Sequence, residues 1–190
     1  MKIKKAVFAR GVTDSDNMIR DGLPQVAFIG RSNVGKSSLI NSLTNNKKLA
    51  RSSSTAGRTQ EINFFLINDE MYFVDLPGYG YARGSFEQRD LISERIEGYL
   101  FSKDITHHKV VLILDSKVGM TDSDKAIFRE LIEHNKDIII VSNKIDKLNQ
   151  SEKQKNLNAI RKFVGEYPVV TFSSEKHIGY DVLLDLISSK

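Results

Sequence analysis

Short continuous apolar runs alternate along the chain with segments whose apolar residues recur every three or four positions. The apolar runs typical of strands buried on both faces are PQVAFIG (24–30), KVVLILD (109–115), DIIIVSN (137–143) and PVVTFSS (168–174). The amphipathic segments predict helices over 36–46, 85–100, 123–135, 151–165 and 179–190. This alternation predicts an α/β domain whose central sheet is mostly parallel.

Two segments depart from that alternation. EINFFLIND (61–69) and EMYFVDL (70–76) are joined at Asn68 and Asp69, and this spacing predicts a hairpin with one antiparallel strand inside the parallel sheet. Residues 1–22 are expected to form an N-terminal extension with an edge strand over 4–12. The sequence shows no repeat or linker, so residues 1–190 are predicted to be a single domain.

Composition narrows the function classes. The chain lacks cysteine, which excludes disulfides, thiolate metal sites and prenyl or palmitoyl anchors. Its apolar stretches are shorter than the roughly 18 residues of a membrane helix, so a cytoplasmic protein without a membrane partner is expected. Basic residues exceed acidic ones by four, and the pI is near 9.2. A charge this small indicates contact with polyanions only weakly.

The segment GRSNVGKS, from Gly30 to Ser37, fits G-x-x-x-x-G-K-[ST] and lies between a predicted strand and a predicted helix. Its backbone amides and the helix N-terminus would face phosphate oxygens. Lys36 would reach the β- and γ-phosphates, and the Ser37 hydroxyl would bind Mg²⁺. The strand–loop–helix context favours this over a Gly-rich turn that merely begins a helix.

DLPG, from Asp75 to Gly78, directly follows a predicted strand. Asp75 would hold Mg²⁺ through a water, and the Gly78 amide would bind the γ-phosphate and so sense hydrolysis. In isolation the same letters describe an ordinary turn. The residue after Gly78 is Tyr79, where many GTPases have the glutamine that orients the attacking water.

NKID (143–146) and SSEK (173–176) each follow the end of a predicted strand. The Asp146 carboxylate can accept from guanine N1–H and the exocyclic amine, a donor pair that adenine lacks. Asn143 would brace the pocket, and the stem of Lys144 would cover the base. The loop at Ser173 would offer amides to guanine O6, although two serines after a strand are commonplace. Open α/β sheets bind ligands at these strand ends.

The segment between GRSNVGKS, which has the pattern of a P-loop and is called so below, and DLPG contains two threonines that could supply a second hydroxyl to Mg²⁺, Thr55 and Thr59. The sequence pattern alone leaves the choice open. Arg51 and Arg58 could contact phosphates, a partner or only solvent. None of the four histidines has a partner residue at zinc-binding spacing, and no Ser/His/Asp arrangement is evident.

The blocks GRSNVGKSS, GRTQEINFF and DLPGYGYA, taken together, resemble the EngB group of bacterial translation-factor-class GTPases over nearly the whole chain. The resemblance implies a three-layer P-loop fold like that of small GTPases, with GTP and GDP bound together with Mg²⁺. It also implies a role in large-ribosomal-subunit assembly and in normal cell division and septation. NKID and the segment 107–124 depart slightly from the group's usual T-K-x-D and D-x-R-H patterns.

The resemblance places Thr59 at the switch-threonine position, as a catalytic residue beside Lys36 and Gly78. The expected metal ligands are Ser37, Thr59 and, through water, Asp75. The expected nucleotide-binding residues are Gly30, Arg31, Ser32, Asn33, Val34, Gly35, Lys36, Ser37, Ser38, Gly57, Arg58, Thr59, Asp75, Gly78, Asn143, Lys144, Asp146, Phe172, Ser173 and Ser174. Asn33 corresponds to an asparagine that holds K⁺ in related GTPases, which makes K⁺ a second candidate cofactor.

The leading hypothesis is a monomeric GTPase switch that is slow without a partner, since Tyr79 cannot orient water as a glutamine amide does. An alternative is an rRNA-binding assembly factor in which nucleotide controls binding and hydrolysis is incidental. Its basic contacts would be Lys47, Lys48, Arg51, Arg58, Lys153, Lys155, Arg161 and Lys162. NKID disfavours a kinase or an ATPase, and the lack of a lipid anchor disfavours a trafficking GTPase.

Overall fold

A seven-stranded sheet with helices on both faces organises the part of the chain that the computed structural model describes, which is residues 1–14, 17–50, 61–80, 85–105 and 107–189. The strands are β1 Ala6–Val12, β2 Gln25–Gly30, β3 Ile62–Ile67, β4 Met71–Asp75, β5 His107–Asp115, β6 Ile138–Asn143 and β7 Val169–Thr171. The helices are α1 Lys36–Leu43, α2 Phe86–Leu100, α3 Asp122–Glu133, α4 Gln150–Val164 and α5 Tyr180–Ser188, with a short 3₁₀ helix at Ile145–Lys147.

The strand order is β1-β3-β4-β2-β5-β6-β7. Strand β3 pairs antiparallel with both β1 and β4, and the remaining pairs are parallel. Among the described strands β3 is therefore the one antiparallel member, which confirms the α/β prediction. Ile67 pairs with Met71, so a three-residue loop joins β3 to β4, and its first two residues, Asn68 and Asp69, have positive φ angles of 52° and 62°. Strand β1 lies at the sheet edge, as expected.

Alternating side chains of the strands feed two separate cores. Ala27, Phe64 and Leu112 pack with α2, α3 and α4 on one face of the sheet. Phe28 and Val111 pack with α1 and α5 on the other face. These layers leave the carboxyl ends of β2, β4, β5 and β6 along one edge, which is where the sequence motifs lie.

Side chains at the helix starts explain most of the boundaries. Capping boxes open α2, α3 and α4, with Ser85, Thr121 and Asn149 as the N-cap residues. Helix α1 ends at Leu43, three residues earlier than predicted. The Thr44 hydroxyl donates a hydrogen bond back to the Ile40 carbonyl at this end. Strand β5 begins two residues earlier than predicted, and Leu91 on α2 is 48% exposed.

His107 lies at the amino end of β5, away from the strand ends that carry the motifs. Its ring packs edge-on against Tyr99, with centroids 4.8 Å apart, and the Lys136 ammonium lies 3.2 Å from Nδ1. Burial, together with the Lys136 charge, lowers the pKa of His107 to about 4. Within the described chain its Nε2 atom has no hydrogen-bond partner. His107 is thus a neutral structural residue at pH 7.

Candidate nucleotide site

The predicted motifs converge on the edge formed by the carboxyl ends of the parallel strands. Gly30 ends β2, Asp75 ends β4, and Asn143 ends β6. Strands β4, β2, β5 and β6 are consecutive neighbours in the sheet, so these residues lie side by side. Ser173 follows β7 at the same edge. The fold brings together motifs that are more than a hundred residues apart in the sequence.

The P-loop leaves the first turn of α1 without a side-chain cap. Gly35 is the N-cap, its φ angle is 96°, and no acidic residue lies in the first turn. A Cβ atom at this position would lie 2.5 Å from the Asn143 side-chain nitrogen, so only glycine fits. Helices α2, α3 and α4 satisfy their first amides with side chains, whereas those of α1 remain available to an anion.

Lys36, Ser37 and Asp75 meet at the start of α1. The Lys36 ammonium is ion-paired with the Asp75 carboxylate, and both side chains are largely buried. The Ser37 hydroxyl donates to the other carboxylate oxygen at 3.2 Å. An ammonium, a hydroxyl and a carboxylate from the two motifs thus meet at one point. In this arrangement Lys36 and Asp75 neutralise each other.

The DLPG segment docks directly on the P-loop. The Ser32 amide donates to the Tyr79 carbonyl at 3.0 Å, and the Ser32 hydroxyl donates to the Gly78 carbonyl at 3.3 Å. A Cβ atom on Gly78 would lie 3.0 Å from Ser32 backbone atoms, which explains the glycine sterically. Ser32 therefore couples the position of Gly78 to the P-loop.

Tyr79 points away from this point of convergence. Its hydroxyl donates to Asp124 Oδ1 at 2.6 Å, and its ring packs against the core beneath α2 and α3. Asp124 is only 1% exposed and also accepts from the Thr121 amide and hydroxyl, at 2.8 and 2.6 Å. Burial, and then the Asp124 carboxylate, raise the pKa of Tyr79 far above its ordinary value. Tyr79 is a neutral anchor between the DLPG segment and α3.

Asn143 and Lys144 tie the predicted base pocket to the P-loop. The Asn143 side-chain amide donates to the Val34 carbonyl at 2.8 Å. Lys144 has a left-handed backbone, with φ 62°, and its ammonium donates to the Asn33 carbonyl and to Asp115, both at 2.7 Å. The Asn143 bond and the Lys144 bond to Asn33 connect the pocket directly to the P-loop. Such a backbone conformation costs about 1–3 kcal/mol, which its neighbours must offset.

Asp146 is prepared as a hydrogen-bond acceptor. Ser173 donates to its Oδ1 atom at 2.6 Å, and the Lys176 amide in turn donates to the Ser173 hydroxyl at 3.1 Å. The Ser173 hydrogen bond, with help from Lys147, lowers the pKa of Asp146, so the carboxylate is ionised at pH 7. An ionised, oriented carboxylate is the group that guanine N1–H and the exocyclic amine require.

The other predicted site residues are placed as follows. Ser38 is exposed on the first turn of α1, and Arg31 lies 4.0 Å from Asp124. The Phe172 side chain is fully buried against α1 and α5, and its carbonyl accepts from the Ile145 amide. The Ser174 hydroxyl is buried and has no partner within the described chain. Residues expected in the site that lie outside the described residues are Gly57, Arg58 and Thr59, together with Thr55 and Arg51.

The sequence interpretation missed two carboxylates at this edge. Asp115 ends β5 and holds Lys144; burial alone would raise its pKa, but hydrogen bonds from Lys144 and two backbone amides lower it. Asp124 holds Tyr79. The position of Asp115 at a strand end was a usable signal. The role of Asp124 depends on how α3 packs, which one sequence does not reveal.

The described part of the chain contains no cluster of three or more His, Cys, Asp or Glu residues that could hold a metal alone. A Mg²⁺ site needs no such cluster, because Mg²⁺ keeps several waters and takes phosphate oxygens with one or two protein oxygens. Ser37 and Asp75 supply such oxygens. Across the same described ranges, no helix is both long and apolar enough to span a bilayer.

Comparison with known proteins agrees with this geometry. The sequence model of a family described as "50S ribosome-binding GTPase" matches residues 25–144. A "Probable GTP-binding protein EngB" from Clostridium beijerinckii is 45% identical over 97% of this chain and 94% of its own length. The corresponding protein of Lactobacillus helveticus is 44% identical over 92% and 90% of the two chains.

Solved structures show the same fold. The crystal structure of a probable GTP-binding protein engB superposes with a TM-score of 0.69 at 26% identity, covering 86% of this chain and 96% of that one. Era in complex with MgGDPNP and a fragment of 16S ribosomal RNA gives a TM-score of 0.67 at 26% identity, over 87% of this chain and 55% of Era.

Proposed function

This chain belongs to the EngB family of GTP-binding proteins, a family of GTPases, and from that membership and the site geometry we propose that it is a guanine-nucleotide switch acting in assembly of the large ribosomal subunit. The observation that carries the proposal is the hydrogen-bonded link between two half-sites. Lys36, Ser37 and Asp75 form the phosphate end, and Asp146 with Ser173 forms the base end. The Asn143 and Lys144 hydrogen bonds to the P-loop join the two ends.

Nucleotide binding would rearrange the phosphate end. The Lys36–Asp75 ion pair has to open, because Lys36 is needed by the β- and γ-phosphates and Asp75 by the Mg²⁺ hydration shell. Ser37 would hold Mg²⁺ directly, with Thr59 as a second hydroxyl ligand when GTP is bound. When bound, Mg²⁺ would offset the charge of the phosphates. The exchange replaces a buried ion pair with two charge-compensated groups.

Hydrolysis is expected to be slow without a partner. The Tyr79 hydroxyl is engaged with Asp124, and a phenol cannot replace the two-sided hydrogen bonding of a glutamine amide. Even glutamine-bearing GTPases without an arginine finger turn over at about 10⁻⁴ to 10⁻³ per second. We therefore propose that a partner, or a K⁺ ion held near Asn33, supplies the catalytic group that Tyr79 does not provide.

The partner we propose is the large ribosomal subunit or its rRNA precursor. Support comes from the family description, which names 50S binding, and from Era, a structural relative that was solved bound to ribosomal RNA. The proposed role in cell division and septation would then follow from ribosome shortage. We further propose that residues 1–190 form a single domain that acts as a monomer in the cytoplasm.

GTP turnover measured with and without purified ribosomal subunits tests the proposal. We expect large subunits, and not small subunits, to raise kcat at least tenfold, because only the correct partner completes the site. Parallel reactions in K⁺ and in Na⁺ distinguish stimulation of turnover by the partner from stimulation by K⁺. Equal turnover in all mixtures would remove both the partner and the K⁺ proposals.

One observation in the structure supports the alternative function, an rRNA-binding assembly factor that is controlled by nucleotide. Because Tyr79 is committed to Asp124, nucleotide could serve mainly as a ligand that sets binding to rRNA, with incidental hydrolysis. Reconstitution of large subunits with a non-hydrolysable GTP analogue distinguishes the two. A switch that must cycle would stay on the particle and block completion, whereas a binding factor would support assembly normally.

A further inference from the structure

A second concave surface lies at the opposite end of α1 from the P-loop. It is a cleft of about 580 Å³ between the segment that leads into β1 and the loop that follows α1. Its walls include Lys4 and Lys5 on one side, and Asn45, Asn46, Lys47 and Lys48 on the other. Helix α1 has eight residues, so this cleft is about 12 Å along its axis from the P-loop.

The cleft concentrates positive charge that the surrounding described residues do not neutralise. All four lysines are exposed. Lys5 pairs with Asp69 at 2.8 Å, on the rim. Across the described residues, Lys4, Lys47 and Lys48 have no carboxylate within ion-pair distance. Four lysines therefore face one carboxylate, and no aromatic side chain of the described chain lines the walls.

Asn68, in the β3–β4 hairpin turn, fixes the first wall. Its side-chain oxygen accepts from the amides of Lys4 and Lys5, at 2.8 and 3.1 Å. Its side-chain nitrogen donates to the Lys2 carbonyl at 3.0 Å, and its backbone amide donates to the Lys5 carbonyl at 2.9 Å. The backbone that carries these lysines is therefore held in place before any ligand arrives.

Asn41 fixes the second wall in the same way. Its side chain accepts from the Ala50 amide at 2.7 Å and donates to the carbonyls of Ala50 and Lys47, at 2.8 and 3.2 Å. The four last carbonyls of α1 are also satisfied: Thr44, Asn45, Asn46 and the Tyr180 hydroxyl donate to them. This removes much of the negative potential that a helix C-terminus would otherwise direct at an anion.

We propose that this cleft binds the phosphate backbone of structured RNA, an inference that rests on the ribosomal function proposed above. Lysine ammonium groups are suited to phosphate oxygens as point charges, and asparagine amides suit phosphate and ribose oxygens. Walls without aromatic side chains offer no stacking platform for unpaired bases. Recognition is therefore by backbone position, and the binding strength depends on salt.

A charge-matched pair of variants tests the proposal. The cleft variant carries Lys4→Gln, Lys47→Gln and Lys48→Gln. The control carries Arg89→Gln, Lys103→Gln and Arg129→Gln, which removes three exposed charges from α2, the turn that follows it and α3. Binding of a fluorescent 20-base-pair RNA duplex is measured by anisotropy from 50 to 200 mM KCl, and GDP affinity serves as the folding check.

Loss of three phosphate contacts lowers the slope of log K against log[salt] by about 2 to 3. Over that salt range the wild-type affinity should fall about 15- to 60-fold more than that of the cleft variant. The control should keep the wild-type slope, and both variants should bind GDP normally. Equal slopes for cleft variant and wild type, a loss confined to the control, or no duplex binding by wild type would each overturn the proposal.

Sedimentation with large ribosomal subunits separates this inference from the function it rests on. Wild-type protein that binds subunits, combined with a cleft variant that binds them poorly and also loses RNA-duplex affinity, supports the RNA cleft. A cleft variant that loses subunits but keeps the wild-type duplex slope would make the ligand a ribosomal protein and overturn it. Wild-type protein that binds no subunits contradicts the proposed function itself.

Discussion

The hydrogen bond between Tyr79 and Asp124 should stabilise the fold measurably, and Tyr79→Phe, Asp124→Ala and the double variant isolate its contribution. Tyr79→Phe removes one hydrogen bond to a charged group, worth about 1.5–3 kcal/mol. Asp124 keeps both Thr121 donors, so we expect the lower end of that range, about 1.5–2 kcal/mol.

Asp124→Ala should cost more, because it removes more than one interaction. It deletes two hydrogen bonds with Thr121, at about 1 kcal/mol each, and leaves the Tyr79 hydroxyl buried without an acceptor, at about 1–3 kcal/mol. We expect a loss of about 3–5 kcal/mol. The double variant has no hydroxyl at position 79 to leave unpaired. Its loss should therefore be about 2 kcal/mol, from the two Thr121 hydrogen bonds, and fall short of the sum of the single losses by about 2.5–5 kcal/mol.

Urea unfolding at saturating GDP and without nucleotide measures this coupling, since bound ligand shifts apparent stability. Asp122→Ala is the matched control on the same turn, because its side chain is 99% exposed and its surface ion pair with Lys125 contributes little, so its free energy of unfolding should stay close to that of the wild type. Energies that add to within about 0.5 kcal/mol would refute the contact. The same Tyr79→Phe protein should keep its intrinsic kcat within about threefold, whereas loss of a water-orienting hydroxyl would lower kcat by about 10²-fold or more.

Three further changes probe the base pocket, the metal site and the buried histidine. Asp146→Asn should weaken GTP binding by about 10²- to 10⁴-fold, because two charge-assisted hydrogen bonds are lost, and should favour xanthosine triphosphate; competition against a fluorescent GDP analogue measures both, and unchanged GTP affinity would contradict the pocket. Asp75→Asn should make GDP affinity insensitive to Mg²⁺, with Asp69→Asn as the exposed control; a retained difference between Mg²⁺ and EDTA titrations would place the metal elsewhere. The folded-state pKa of His107, about 4, lies below its unfolded value of 6.5, so its contribution is present above pH 6.5 and is lost as pH falls towards 4. The free energy of unfolding should fall by up to about 3 kcal/mol between pH 6.5 and pH 4, and His107→Gln should abolish this fall; the same pH dependence in the variant would contradict the role of His107.

The order of the helices and strands was predictable because each signal is local. Continuous apolar runs predict β2, β5 and β6, and residues such as Ser85 and Asn149 begin helices by bonding to amides three positions on. The edge position of β1 and the hairpin at Asn68 also followed from local pattern. Helix α1 ends early because the Thr44 hydroxyl bonds back to the helix, a competition that periodicity does not record.

The site was predictable where a motif specifies chemistry and unpredictable where packing decides. Lys36 and Ser37 begin α1 just after β2, Asp75 ends β4, and Asp146 follows β6, so the parallel sheet brings all four to the same edge. The direction of the Tyr79 side chain does not follow from the sheet, because it depends on Asp124, 45 residues further along the chain. The RNA cleft was also unpredictable from the sequence, because packing brings its residues together. Lys4 and Lys47 are far apart in sequence and meet only because Asn68 and Asn41 hold the two walls.

Co-sedimentation with purified large ribosomal subunits in GTP analogue, in GDP and without nucleotide tests the proposed switch most directly. We expect the protein in the large-subunit fraction with the GTP analogue and at least tenfold less of it with GDP. The small-subunit fraction should contain none in any state. Absence from large subunits in all three states, or equal binding in all three, would contradict a nucleotide switch that acts on the ribosome.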